Sequence, residues 1–218
     1  MHYDFHIHDA IRVEYRVATD GSSFPRGYSC IERETRSAGG NGVIAAVTLA
    51  RWGARVLLTG NALGDDDHGR LILRELEAIE NLTFEAELQS GVVTPYAILL
   101  RAGKFDVGTL LSPDAAHIEL KRLSRNTEDA RFFGGASEGW GEGSGSVHLE
   151  ATTQDYSALI GSIAGVTAIY GQLMEDQIAP QQQVALSEAT TQLYAERFGG
   201  LDSIPTLEEL EAYLPVAR

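Results

Sequence analysis

Cysteine is almost missing from this chain: Cys30 is the only one in 218 residues. An internal disulfide and a four-cysteine zinc site are therefore excluded. Cys30 itself reads as a small buried or half-buried residue rather than a nucleophile. Basic residues are scarce too, 17 Lys and Arg against 31 Asp and Glu, for a formal charge of −14. Such a surface repels nucleic-acid phosphates and anionic lipids, which argues against a nucleic-acid partner. The opening residues lack the positive start and apolar run of a secretory leader. The most apolar stretch, Ser157 to Met174, is interrupted by Gly, Ser, Thr, Tyr and Gln. It falls short of a membrane span and reads as a buried helix. What remains is an ordinary globular composition, 44% hydrophobic and 22% charged, at a length suited to one domain. The expectation is a cytoplasmic protein with no membrane partner.

Alternation of apolar and polar residues predicts strands over Tyr3–His8 and Ile11–Ala18, and a more polar one over Tyr28–Thr35. Asp20-Gly21, with Pro25 beyond, is turn chemistry. A glycine-rich turn, Ala38 to Gly42, leads into a small-residue helix that stops at Gly53. Arg55–Thr59 reads as a buried strand, Gly60–Gly69 as a loop and Arg70–Glu80 as a helix. Within that loop Asp65 and Asp66 read as Mg²⁺ ligands or, more plainly, as loop and helix-cap residues. The order of elements indicates an α/β fold. Further strand candidates fall between residues 82 and 111, followed by a predicted helix over Ala115–Leu123. The glycine-rich residues 134–146 read as a linker. A helix over Gln181–Phe198 is ended by Gly199-Gly200, and Thr206 with Glu209 has capping-box spacing.

One string near the start has the chemistry of a metal site. On a strand, Asp4, His6 and His8 share a face, and imidazoles with a carboxylate suit Zn²⁺ or Mn²⁺. The string resembles the opening of metal-dependent amidohydrolases. Those proteins draw further ligands from later strands, and His68, His117 and His148 show no such spacing. An ordinary strand with polar histidines is the competing reading, and no metal site is assigned.

Several features recur together from Gly39 onward: the Gly39-Gly40-Asn41 turn, the small-residue helix, Arg51-Trp52-Gly53, and Gly60 through Gly64-Asp65-Asp66 to Gly69. In order and spacing this segment resembles the first signature of the ribokinase-like (PfkB-type) carbohydrate kinases. The resemblance implies an α/β, ribokinase-like three-layer sandwich with a small β lid, formed by residues 1–218 as a single domain. Strands of about 3–37 and 82–111 would contribute the lid or a sheet edge. It implies a small sugar-like or nucleoside-like ligand, contacted by Asp9, Gly39, Gly40 and Asn41. It implies ATP and Mg²⁺ as cofactors by likeness alone, and a homo-oligomer built through the lid strands. Gly135 and Gly139 faintly resemble the family's nucleotide loop, and read more plainly as a flexible loop.

The departures bear on chemistry. The family's members are longer, and the shortfall here lies between about Leu111 and Gly134, where the family carries sheet strands and a motif linked to Mg²⁺. The family asparagine that opens the small-residue helix is Ile44 here. Thr152, Thr153, Ala158, Ile160, Gly161 and Ser162 match the second signature, but Gln154, Asp155, Tyr156 and Ser157 replace its Gly-Ala-Gly-Asp. In the family that segment cradles a phosphate on backbone N–H groups and supplies the catalytic Asp; Ser157 stands at the Asp position. Phosphoryl transfer depends on positioning and charge stabilisation. Gln154 and Tyr156 would crowd an anion cradle that needs close backbone approach, Asp155 would repel the anion, and a serine hydroxyl is a poor base at neutral pH. Together these imply a catalytically impaired sugar- or nucleoside-binding homologue. An active ATP-dependent kinase and a non-catalytic oligomeric scaffold are the alternatives.

Overall fold

A computed structural model describes residues 3–20, 29–102, 105–118, 120, 130–134, 140–142, 145–147, 170 and 180–212. Chain order begins β1 (Tyr3–Asp9), β2 (Arg12–Thr19), β3 (Ile31–Gly39), α1 (Asn41–Arg51), β4 (Val56–Gly60), β5 (Leu63–Gly64) and α2 (Asp67–Glu77). Then follow β6 (Leu82–Glu85), β7 (Leu88–Gln89), β8 (Tyr96–Ala102), β9 (Phe105–Leu111) and α3 (Pro113–Ala116). The last described elements are β10 (Ala130–Gly134), β11 (Trp140–Glu142), β12 (Gly145–Val147), α4 (Pro180–Glu196), a 3₁₀ turn (Leu201–Ser203) and α5 (Leu207–Glu211).

The main sheet runs β12-β11-β10-β1-β4-β6. Its β10, β1, β4 and β6 are mutually parallel, and β11 and β12 extend it antiparallel. Phe5, Ile7, Val56 and Leu58 are fully buried, the apolar reading expected of parallel strands covered by helices. Helix α1 lies against them and is hidden along nearly its whole length, from Gly42 to Ala50. Its many alanines keep the helix thin enough for such enclosure. Gly53 takes φ +90° just past its end, where a left-handed residue closes a helix. Beyond it, the Trp52 indole donates to the Pro205 carbonyl (3.3 Å), and Tyr170 Oη donates to the Trp52 carbonyl (3.1 Å).

A second sheet, β3-β2-β8-β9, stands apart from the first. Strand β2 pairs antiparallel with β3 and parallel with β8, and β9 pairs antiparallel with β8. Helix α2 joins the two sheets. Asp66 caps it, accepting from Gly69 N–H at 2.8 Å, while its other oxygen accepts from Thr94 N–H at 2.9 Å. Asp66 is thus the cap residue, and Asp65 pairs with Arg70 on the surface at 2.7 Å.

Three expectations are corrected. The helix placed over Ala115–Leu123 is the short α3, Pro113–Ala116, ending at His117. Its start is set by Ser112, whose hydroxyl accepts from Ala115 N–H, and by Pro113 in the first turn. The described part of the glycine-rich stretch is no linker: β11 and β12 pair there at the edge of the main sheet. Cys30 is exposed rather than buried. The apolar stretch Ser157–Met174 lies outside the described residues except Tyr170. Among the described residues, no helix is long and apolar enough to cross a membrane.

Candidate functional site

The C-terminal end of β1 meets the N-terminus of α1, and this junction brings Asp9 to the consecutive residues Gly39, Gly40 and Asn41. Asp9 ends β1 and is buried at 7% exposure. Its carboxylate accepts from Ala10 N–H at 2.6 Å and from Gly42 N–H in the first turn of α1. Burial pushes the Asp9 carboxyl up to about 6, against the opposing pull of these N–H groups and of Arg12. Gly40 caps α1 with φ +109°, and a Cβ there would fall 2.4 Å from the Ala10 carbonyl oxygen. Backbone conformation and space both require glycine at that point. Asn41 opens α1 half-buried, and its amide makes no hydrogen bond among the described residues.

A buried charged network adjoins this junction. Arg12, Glu14 and Arg16 alternate along β2 and so share a face. Glu14 Oε1 accepts from Arg12 Nη2 at 2.9 Å and from Gly40 N–H at 3.1 Å; Oε2 accepts from Arg16 Nη2 at 2.5 Å. Burial pushes the Glu14 carboxyl up, but Arg16, Arg12 and the Gly40 N–H outweigh it and hold the group below the ordinary glutamate range. Arg16 also donates to Ser37 Oγ (3.2 Å) and to Tyr194 Oη (3.1 Å). Tyr194 Oη in turn accepts from Gly200 N–H at 3.1 Å. The second sheet is thereby tied to α4 and the turn that follows it. These residues were legible only as strand alternation. The missed signal was the charge order Arg-Val-Glu-Tyr-Arg, which places three charges on one face of a strand.

On the opposite face of β2, Tyr15 Oη lies 2.6 Å from His68 Nε2 on α2, with Tyr96 packed at the edge of both rings. This is an aromatic contact between the second sheet and α2.

The metal-like string is dispersed. His6 Nε2 and His8 Nδ1 each lie 2.9 Å from Thr59 Oγ1 on neighbouring β4, while Asp4 pairs with Arg55 at 3.0 Å. The two imidazoles share one hydroxyl and are not joined by that carboxylate. Among the described residues, no three His, Cys, Asp or Glu side chains are gathered to hold a metal.

Ser157 and the candidate nucleotide residues Gly135 and Gly139 lie outside the described residues. Among the described residues, the carboxylates read as Mg²⁺ ligands are already engaged within the fold. Asp66 is committed to Gly69 and Thr94, and Asp65 to Arg70. The anion-cradle segment reads Gln154-Asp155-Tyr156-Ser157.

Neither family models nor curated proteins match the sequence. Solved structures do. Ribokinase from Thermotoga maritima superposes with a TM-score of 0.57 at 14% identity, over 97% of this chain and 99% of that one. Ribokinase from Cryptococcus neoformans var. grubii, in complex with ADP, gives 0.56 at 12% identity, over 97% and 100%. Ribokinase from Arabidopsis thaliana, complexed with ribose and ATP, gives 0.54 at 10% identity, over the whole of both chains. The fold is ribokinase-like. Its parts here are the main sheet of β1, β4, β6 and β10–β12 and the separate sheet of β2, β3, β8 and β9. In this ribokinase-like fold, Asp9 and the Gly39–Gly42 turn lie where β1 hands over to the second sheet.

Proposed function

We propose that this protein binds a small sugar-like or nucleoside-like polyol at the junction of β1, α1 and the second sheet, and transfers phosphate to it poorly or not at all. One observation supports the reading: Asp9 meets the Gly39–Gly42 turn at the start of α1, which the half-buried Asn41 opens. A carboxylate, backbone polar groups and an amide are the donor and acceptor mixture that hydroxyl groups require, and ligand sites hold a few such groups in fixed positions. The second sheet then acts as a lid. The solved ribokinase with ribose and ATP supports a sugar-type ligand for this architecture. The impairment rests on Gln154, Asp155, Tyr156 and Ser157 in place of a glycine-lined cradle and a carboxylate base.

A thermal-shift and turnover panel of pentoses, hexoses and nucleosides, with and without ATP and Mg²⁺, tests this. The expected result is stabilisation by at least one sugar or nucleoside, with ATP consumption more than about a hundredfold below the 1–100 s⁻¹ of ordinary kinases. Turnover within that range identifies an active kinase instead. No shift with any polyol leaves the scaffold reading.

A further inference from the structure

The turn that follows α4 is held in a conformation that its sequence resists. Phe198, Gly199 and Gly200 take φ of +76°, +74° and +91° in succession. Glycine enters this left-handed region freely, whereas a bulky side chain there is strained. Asn81 is the other non-glycine residue with positive φ among the described residues, and asparagine tolerates it. Strain of this kind persists only where the surroundings hold it, and it gathers at clamps and switch regions.

What meets Phe198 is the second sheet. The Arg33 guanidinium, on β3, lies over the Phe198 ring at 4.7 Å from its centroid. Arg33 Nη2 also donates a long hydrogen bond, 3.4 Å, to the Arg197 carbonyl just past the end of α4, where positive charge is favoured. Opposite Arg33 in the ladder stands Ala18, two residues from Arg16 and on the same face of β2. There Arg16 donates to Tyr194 Oη at 3.1 Å, and a Cβ on Gly199 would fall 2.9 Å from Arg16 Nε. One face of the sheet thus meets the α4 turn twice, through a buried contact at Arg16 and an exposed one at Arg33. The chain enters the sheet between Asp9 and Arg12 and leaves β3 at Gly39. Those connections are the hinge side, and Arg33, near the far end of β3, is on the free side.

We propose that Arg33 and Phe198 form a releasable clasp that holds the second sheet down, and that its release admits ligand to the junction of β1 and α1. The second half of that statement rests on the reading of the junction as a polyol site and of the sheet as its lid. An exposed cation–π contact is weak, and the strain at Phe198 works against it, because a freed Phe198 returns to negative φ. Closed and released sheets are then close in free energy. That is the condition for a population that a ligand or one substitution can shift.

Measurements on the full chain test this without any ligand. Cys30, exposed and the one thiol of the chain, is labelled with a dye that accepts energy from Trp52 and Trp140, which follow α1 and open β11. Arg33→Gln and Phe198→Leu are each expected to lower the transfer, and the double variant to lower it no further. Arg33 is exposed, so Arg33→Gln decides the matter even if the Phe198 variants fold poorly. In a Cys30→Ser chain carrying Asn41→Cys, the rate at which the new thiol reacts with methyl methanethiosulfonate reports access to the junction. Arg33→Gln is expected to raise that rate roughly two- to fivefold, the worth of an exposed cation–π contact. Phe198→Gly and Phe198→Ala lose the same ring, so their difference isolates the strain. The glycine variant is expected to unfold at the higher urea concentration. Energy transfer unchanged in Arg33→Gln overturns the clasp. Transfer that falls while Asn41→Cys reacts no faster overturns the control of entry, and leaves the polyol site to be judged by sugar binding alone. An alanine variant as stable as the glycine one overturns the part given to strain.

Discussion

A methyl group on Gly42 would fall 2.2 Å from Cβ of Asp9, so the first turn of α1 and the last residue of β1 are in contact through bare backbone. The obstacle is the root of the Asp9 side chain, which no change of rotamer moves away. Gly42→Ala therefore sets two effects against each other. Alanine favours the helix by about 1 kcal/mol, while overpacking a tight site costs about 1–3 kcal/mol. The second should win, because main chain must shift to make room. A net loss of about 1–2 kcal/mol in urea unfolding is expected, together with loss of polyol binding. A variant as stable as the parent, with binding intact, would show that the contact is not needed.

Asp9 provides a pH test with a definite sign. Its carboxyl is raised from 3.8 to about 6 in the folded chain, chiefly by burial. The folded state then holds a proton that the unfolded state has released, so stability falls as pH rises through the window between those values. The ionised group costs about 3 kcal/mol above that window and nothing below it. Asp9→Asn keeps an oxygen for the Ala10 and Gly42 N–H groups but cannot ionise. The stability difference, variant minus wild type, should grow by about 1–3 kcal/mol between pH 4 and pH 7, while polyol binding is lost. Parallel pH profiles for the two proteins would contradict this account.

Much of the scaffold was readable because short-range chemistry decided it. Thr206 and Glu209 form the reciprocal capping box their spacing implied, and Gly53, Gly199 and Gly200 take positive φ where helices were expected to stop. The junction of Asp9 with Gly39, Gly40 and Asn41 was reached by likeness to a known signature rather than by pattern, since no local rule brings a strand end to a turn some thirty residues away. The failures share a physical cause. Residues 140–142 and 145–147 pair in a sheet although their composition reads as linker, because partner strands supplied the order that local propensity lacked. Ser112 and Pro113 together mark a helix start two residues before the expected one at Ala115. The Glu14–Arg16–Tyr194 network joins β2 to α4, and only the folded chain brings them together.

That network makes Tyr194 a sensitive position. Its hydroxyl accepts from both Arg16 and Gly200 N–H, and the ring is buried at 2% exposure. Tyr194→Phe preserves the ring and strips both donors of their acceptor. Leaving buried donors unpaired should lower stability by about 1–3 kcal/mol. Amide exchange at Gly200 and along β2 should quicken, since these are the groups the hydroxyl holds together. Unchanged exchange at both places would mean that water replaces the hydroxyl at no cost.

The catalytic departure can be tested by reversing it. Ser157→Asp alone should create no kinase, because a base without an anion cradle has nothing to act upon. Adding Gln154→Gly, Asp155→Ala and Tyr156→Gly rebuilds the small-residue segment whose backbone N–H groups face an anion in the resembling kinases, together with the carboxylate base. A general base is worth about 10²–10⁴-fold in rate, so a chain otherwise equipped for nucleotide and metal should gain readily measured turnover. The fourfold variant is nonetheless expected to stay near background. The resemblance implies a stretch between about Leu111 and Gly134 shorter than in those kinases, and the described carboxylates Asp65 and Asp66 are already engaged. The check is ATP consumption dependent on added polyol, compared with the parent. A gain of about a hundredfold or more would show that a nucleotide site survives, with the Gly134–Gly145 stretch the first place to look, and that Gln154 to Ser157 alone hold the activity down.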